Sequence, residues 1–123
     1  MILVLALLVG ALFAGGTYLL LQRTLTRIVL GIALMGHGAN LLLLLAGGRA
    51  GEAPLIGNEP DPANAGFADP LPQALALTAI VITFGISAFL LALSYRSWML
   101  RADDEVEDDL EDRRIAGLGR GDT

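Results

Sequence analysis

His37 is the one side chain in the long apolar runs of this sequence that titrates near neutral pH, and Asn40 follows three residues later, on nearly the same face of a helix. An imidazole beside an amide in an apolar medium can relay a proton, or it can stay neutral and hydrogen-bond between helices. A lone histidine favours the neutral structural role, although ionisable groups inside a membrane otherwise point to function. Thr78 sets a hydroxyl two turns before the bare backbone of Gly85, and Thr83 and Ser87, four apart, make a second small polar face. Either face could line a narrow polar path, but hydroxyls in membrane helices usually bond the carbonyl one turn back. Glu52, Glu59, Asp61 and Asp69 could gather cations at the mouth of a neighbour's pathway. As loop acids in water their charges are screened, which is the plainer reading. His37, Asn40, Thr78 and Thr83 are therefore the candidates for an ion pathway or for coupling to one.

What is missing narrows the chemistry further. No Asp, Glu, Lys or Arg lies inside the apolar runs, and a charge at a helix centre costs about 2.5 to 3.5 kcal/mol on insertion scales, so pumps keep one only where it works. A self-contained pump is expected to keep one. The chain has no cysteine, which excludes a disulfide scaffold, a zinc ribbon and a thiol nucleophile. It carries no phosphate loop, dinucleotide fingerprint, metal cluster or serine-type constellation. No catalytic residue, cofactor or metal is expected, and the chain does not read as an enzyme.

The elements that must position these residues follow from the apolar runs. Residues 1–21 carry no charged side chain, 28–48 repeat this with His37 and Asn40 as their strongest polar groups, and 71–95 do so again. At about 1.5 Å per residue each run reaches the roughly 30 Å of a hydrocarbon core. The first run lacks the Lys or Arg that precedes the core of a signal peptide, and two further spans follow it. Residues 22–27 form a short link with Arg23 and Arg27; residues 49–70 form a longer loop with Arg49 as its single basic residue; Arg96 and Arg101 follow the third run. Lys and Arg in short flanks mark the cytoplasmic side. The fold class expected is an all-α integral membrane protein with three transmembrane helices, N-terminus outside, loop outside, link and C-terminus cytoplasmic. Asp69-Pro70-Leu71-Pro72 should open the third helix, because proline loses nothing in a first turn and an aspartate there meets the positive end of the dipole.

The composition agrees: 54% of the 123 residues are apolar and 17% charged, with a mean hydropathy of +0.64. The net charge of −5 is not spread evenly, since nine of the thirteen acids fall in residues 101–123. The acidity belongs to a tail, residues 96–123, and a nucleic-acid footprint is excluded. The tail is expected to hold partial helix at most near Asp103 to Ile115, disorder beyond, and too little apolar surface to drive membrane packing. Small residues recur on the spans: Ala6, Gly10 and Ala14 on the first, and Ala74, Thr78, Gly85, Ala88 and Ala92 on the third. With Gly31, Pro70 and Pro72 they are candidate helix-packing positions, because close backbone approach is how membrane helices associate.

The stretches Gly16-Thr17-Tyr18-Leu19, Leu25 to Gly31, His37-Gly38-Ala39-Asn40-Leu41, and above all Asp69-Pro70-Leu71-Pro72-Gln73-Ala74-Leu75-Ala76-Leu77-Thr78-Ala79-Ile80-Val81-Ile82 resemble the C-type subunit of the Mrp-type multisubunit sodium/proton antiporters. The likeness covers about Met1 to Arg96. It implies a small three-helix subunit of a multi-pass complex in the bacterial plasma membrane that exchanges cytoplasmic sodium for external protons. Its partners would be the other subunits and the lipid bilayer. The same protein is similar to the smallest three-helix core subunit of respiratory complex I, whose second and third helices each carry a glutamate on the proton axis. Those positions align here with Ala33 and Thr83, so the resemblance does not extend to a proton carrier of its own. Ala76 stands where a bulkier aliphatic is expected, and the tail lies outside the match. The function expected is packing between larger subunits and shaping or coupling their ion pathways. The alternative is a small assembly or regulatory factor outside any ion path.

Overall fold

The computed structural model describes residues 1–55, 57 and 66–119; Glu59, Asp61 and the last four residues of the tail lie outside the described residues. Four helices follow in order: α1 (Ile2–Leu20), α2 (Leu25–Ala46), α3 (Pro70–Arg101) and α4 (Leu110–Leu118). The first three are long and apolar enough to cross a membrane. Among the described residues there is no strand, only two isolated bridges.

The helix ends are set by caps, and they depart from the ends of the apolar runs. Asp69 accepts the Leu71 N–H at 3.0 Å and Pro70 opens α3. At the other end of the loop Gly48 takes a φ of +83°, a conformation that favours glycine, just after α2 stops. α2 begins at Leu25, before the apolar run from Ile28, and α3 continues to Arg101, past Tyr95. Arginine ends a hydrophobic span but not a helix, since its stem lies along the apolar surface while its head reaches water. Tyr95 and Trp98 stack at a centroid distance of 6.3 Å, with Tyr18 exposed at the same end of the molecule. Aromatic rings of this kind sit at the membrane–water boundary.

α2 packs against both α1 and α3, and α1 and α3 do not meet. The chain is thus an open row with α2 in the middle. Its contacts are made by glycine. A Cβ at Gly31 would lie 2.7 Å from the Gly16 carbonyl oxygen and 2.9 Å from the Leu20 nitrogen, and one at Gly38 would lie 3.1 Å from the Phe13 ring. Toward α3, a Cβ at Gly36 would lie 2.6 Å from Thr83 Cγ2. Few side chains are enclosed: Val9, Val29 and Ala76 are the buried apolar ones among the described residues.

Of the expected packing positions, Gly31 is at a contact within the chain, whereas a Cβ at Gly10 or Gly85 would meet nothing within 4 Å. The half-buried or buried face of α3 is Pro72, Ala76, Ala79, Thr83, Ser87, Leu90, Ser94 and Ser97. The stripe of Ala74, Thr78, Gly85, Ala88 and Ala92 is exposed on another side. Two small-residue faces therefore share α3, and only one of them meets α2.

The tail also departs from expectation. Helix forms at Leu110–Leu118, while residues 103–109 form no helix and meet the link and the start of α2 through Asp104, Glu105, Val106 and Asp108. An antiparallel bridge joins Thr24 to Glu105, with Val106 N–H donating to the Arg23 carbonyl at 2.8 Å. Composition announces a solvated segment because it counts side chains, but this contact is made by backbone groups and charge.

The glycine contacts predict unequal tolerance. Gly31→Ala should destabilise the detergent-solubilised chain by about 1 to 3 kcal/mol, since backbone must move to admit the methyl. Gly10→Ala, meeting open space and gaining helix propensity, should be neutral or stabilising by up to about 1 kcal/mol. Unfolding followed by circular dichroism reads both; equal effects would contradict the packing described.

Candidate functional site along the α2–α3 seam

The seam between α2 and α3 is lined by small and hydroxyl-bearing residues, and it brings two of the four candidate residues together. Thr83 faces Gly36, with Oγ1 3.1 Å and Cγ2 2.6 Å from where a Cβ on Gly36 would stand. Asn40 lies one turn beyond Gly36 and seven residues before Gly47, whose own missing Cβ would stand 3.1 Å from Pro72. Asn40 therefore sits on the side of α2 that faces α3, level with the stretch from Ala76 to Ala79. It is 6% exposed and its Nδ2 has no hydrogen-bond partner. Ala76 at 2% exposure is the most buried apolar side chain.

His37 and Thr78 are placed elsewhere. His37 is exposed on the lateral surface of the chain. Three residues on a helix amount to about 60° of rotation, and at the edge of a narrow interface that angle separates a buried Asn40 from an exposed His37. Thr78 is exposed and its Oγ1 donates to the Ala74 carbonyl at 3.0 Å, the local bond that hydroxyls in helices commonly make. Thr17 does the same with Phe13 at 2.8 Å.

At the loop end, a cavity of about 760 Å³ opens between the starts of α1 and α3 and the end of α2, lined by Met1, Ile2, Leu5, Leu44, Leu45 and Pro72. Arg49 and Asp69 are its charged lining residues. Asp69 is occupied in capping α3. Glu52 exchanges backbone hydrogen bonds with Gly66 and Ala68, both at 2.9 Å, and so closes the base of the loop. Of the two described loop acids, Asp69 is thus engaged through its carboxylate and Glu52 through its backbone. Among the described residues no group of His, Asp and Glu is arranged to hold a metal ion.

At the link end the charges pair. Asp108 accepts from Arg113 at 3.0 Å and from Arg23, and Arg101 donates to Glu107 at 2.8 Å and to Ser97 Oγ at 2.5 Å. The Arg113 hydrogen bond, and then the Arg23 charge, hold the Asp108 carboxyl below its ordinary value of 3.8. A depressed carboxylate contributes its stability above that ordinary value and loses it as the pH falls through the lowered one. The contact is therefore indifferent to pH in the neutral range, and it is exposed enough to be weak.

Sequence reasoning chose Asn40 and Thr83 but missed Gly36, the residue on α2 that Thr83 meets. Its only signal was a small residue on the face of α2 that also carries Asn40.

Over residues 4–112 the chain matches the family described as NADH-ubiquinone/plastoquinone oxidoreductase chain 4L. It is similar to the C-type subunit of the Na(+)/H(+) antiporter of Bacillus subtilis, 46% identical over 101 residues that span 80% of this chain and 86% of that one. The protein of the same name from Alkalihalophilus pseudofirmus is 48% identical over 99 residues, 80% of this chain and 85% of its own. Among solved structures the chain is similar to one in the Mrp complex from a Dietzia species, at 43% identity and a TM-score of 0.73, covering 91% of this chain and 83% of that one.

The buried amide yields a direct prediction. Asn40→Leu removes a donor whose unmet hydrogen bond costs about 1 to 3 kcal/mol, so the stability of the isolated chain should hold or rise. Thermal unfolding in detergent measures it. A clear fall would show that the amide has a structural partner within the chain.

Proposed function

The chain belongs to the NADH-ubiquinone/plastoquinone oxidoreductase chain 4L family, and we propose that it serves as the C-type subunit of a multisubunit sodium/proton antiporter in a bacterial plasma membrane. One observation carries this reading beyond the likeness: α1 and α3 are separated by α2, so the chain encloses no path of its own. Its spans also hold no carboxylate or amine. Such a chain conducts nothing alone, and its use is to pack between larger subunits and to shape or couple their pathways.

The exposed faces support the same role. Gly10, Gly85 and the small residues beside them stand open, and small residues let a neighbouring helix come close where lipid supplies no hydrophobic drive. His37 lies on the open lateral surface, and an imidazole there is best met by a hydrogen-bonding group of a neighbouring subunit rather than by lipid. In this reading His37 acts chiefly as a neutral hydrogen-bonding contact. Asn40 and Thr83 are the seam residues closest to coupling, with the unpaired Nδ2 a donor left to be met by an acceptor. The bias of arginine toward the link and the end of α3 orients the link and tail to the cytoplasm and the loop and N-terminus to the outside.

Reconstitution tests the role. The chain purified alone and placed in vesicles should show no sodium/proton exchange, while the complex containing it should; robust exchange by the chain alone would refute the proposal. The orientation has its own test, because the chain has no native cysteine. In intact cells an impermeant thiol reagent should label Leu55→Cys in the loop and spare Thr26→Cys in the first turn of α2, beside the link. The reverse pattern would overturn the orientation.

A further inference from the structure

The first free N–H groups of α2 are not met from the capping position. Thr24 stands there with an extended backbone, its side chain makes no capping bond, and its Oγ1 is buried without a partner. A residue from the far end of the chain takes both groups instead. Asp104 accepts the Leu25 N–H on its carbonyl oxygen at 2.8 Å and the Thr26 N–H on Oδ1 at 3.3 Å. Its carboxylate also lies at the positive end of the α2 dipole.

The chain is shaped to deliver this residue. α3 ends at Arg101, and Ala102 takes a left-handed φ of 54°, turning the backbone toward the link. Asp103 Oδ1 then accepts the Glu105 N–H at 3.1 Å, and Glu105 pairs with Thr24 across the antiparallel bridge. A merely solvated acidic tail requires none of these contacts. The same segment is attached directly to α3, so whatever it grips is fixed in height against α3.

We infer that Asp104 is a positioning residue for α2: by capping α2 from the chain that leaves α3, it sets the axial register of the two helices and with it the Gly36–Thr83 contact. That contact admits one register, because Gly36 alone lets Thr83 approach so closely, and a slip of one residue would bring Met35 or His37 against it. The consequence for exchange rests on the proposed role of the α2–α3 seam, whereas the capping itself does not.

The test uses the full chain within its complex. Thr24 and Glu105 form a non-hydrogen-bonded antiparallel pair, with Cα atoms expected about 4.5 Å apart, within reach of a disulfide. Thr24→Cys with Glu105→Cys should therefore cross-link under mild oxidant. Amide exchange at Thr26, whose N–H meets the carboxylate, should be about tenfold faster in Asp104→Ala and nearly unchanged in Asp104→Asn, because asparagine caps as well as aspartate; Leu25, held by the backbone carbonyl that alanine retains, should change less. At equal complex abundance, sodium/proton exchange should fall severalfold in Asp104→Ala and persist in Asp104→Asn. Oxidising the introduced cysteine pair in the Asp104→Ala background should restore it. Absence of the cross-link would overturn the capping. Normal transport by Asp104→Ala despite an exposed Thr26 amide, or loss in Asp104→Asn alike, would overturn the positioning role. A complex that exchanges no sodium in its unaltered form would refute the proposed function, and the cross-link and amide exchange would still decide whether Asp104 caps α2.

Discussion

The arrangement depends on bare backbone meeting bare backbone between α1 and α2. Cβ atoms added at Gly31 and Gly16 would lie 2.7 Å and 3.0 Å from each other's carbonyl oxygens. In a bilayer, apolar side chains gain little by leaving lipid for protein, so helices associate through close van der Waals contact. A methyl group at either position would hold the helices apart and remove that contact. Gly36 extends the same device to the other side of α2, where it receives Thr83.

The open row follows from this use of glycine. A helix that presents small residues on two sides can hold two neighbours without bringing them together, and α2 does so. Little apolar surface is then enclosed within the chain, and the outer faces of α1 and α3 remain uncovered. For a soluble protein that exposure would be a defect; for a membrane protein built into a larger assembly it is surface for lipid and for neighbouring helices. The lack of charged groups in the apolar runs fits a part whose work is spatial, leaving the carriage of ions to chains that bear the charges.

Much of the fold was legible in the sequence, and the limits are physical. Three uninterrupted apolar runs can only be helices in a bilayer, since every backbone group there must be bonded internally. The motif from Asp69 to Ile82 marked both the start of α3 and the family. Hydropathy could not place the helix ends at Leu25 and Arg101, because arginine leaves a hydrophobic span while remaining helical. Spacing could not choose between the two small-residue faces of α3, since Ala74–Thr78 and Ala76–Ala79 obey the same helical period, and a period defines faces without naming what each one meets. It also placed His37 and Asn40 together, although the small angle between them falls on the boundary of the interface. The tail was the least legible part: its acids signal solvent exposure, while the contact with the link is made by the backbone and by one carboxylate at a helix end.

If the chain is a spacer, its uncovered faces must be filled by larger membrane subunits. Native mass spectrometry of the assembly isolated gently through a tag on this chain measures that occupancy without relying on activity. One copy of the chain, bound stoichiometrically to larger integral membrane subunits, is the expected outcome. Recovery of the chain alone, or of copies of itself only, under conditions that preserve membrane complexes would contradict the spacer role.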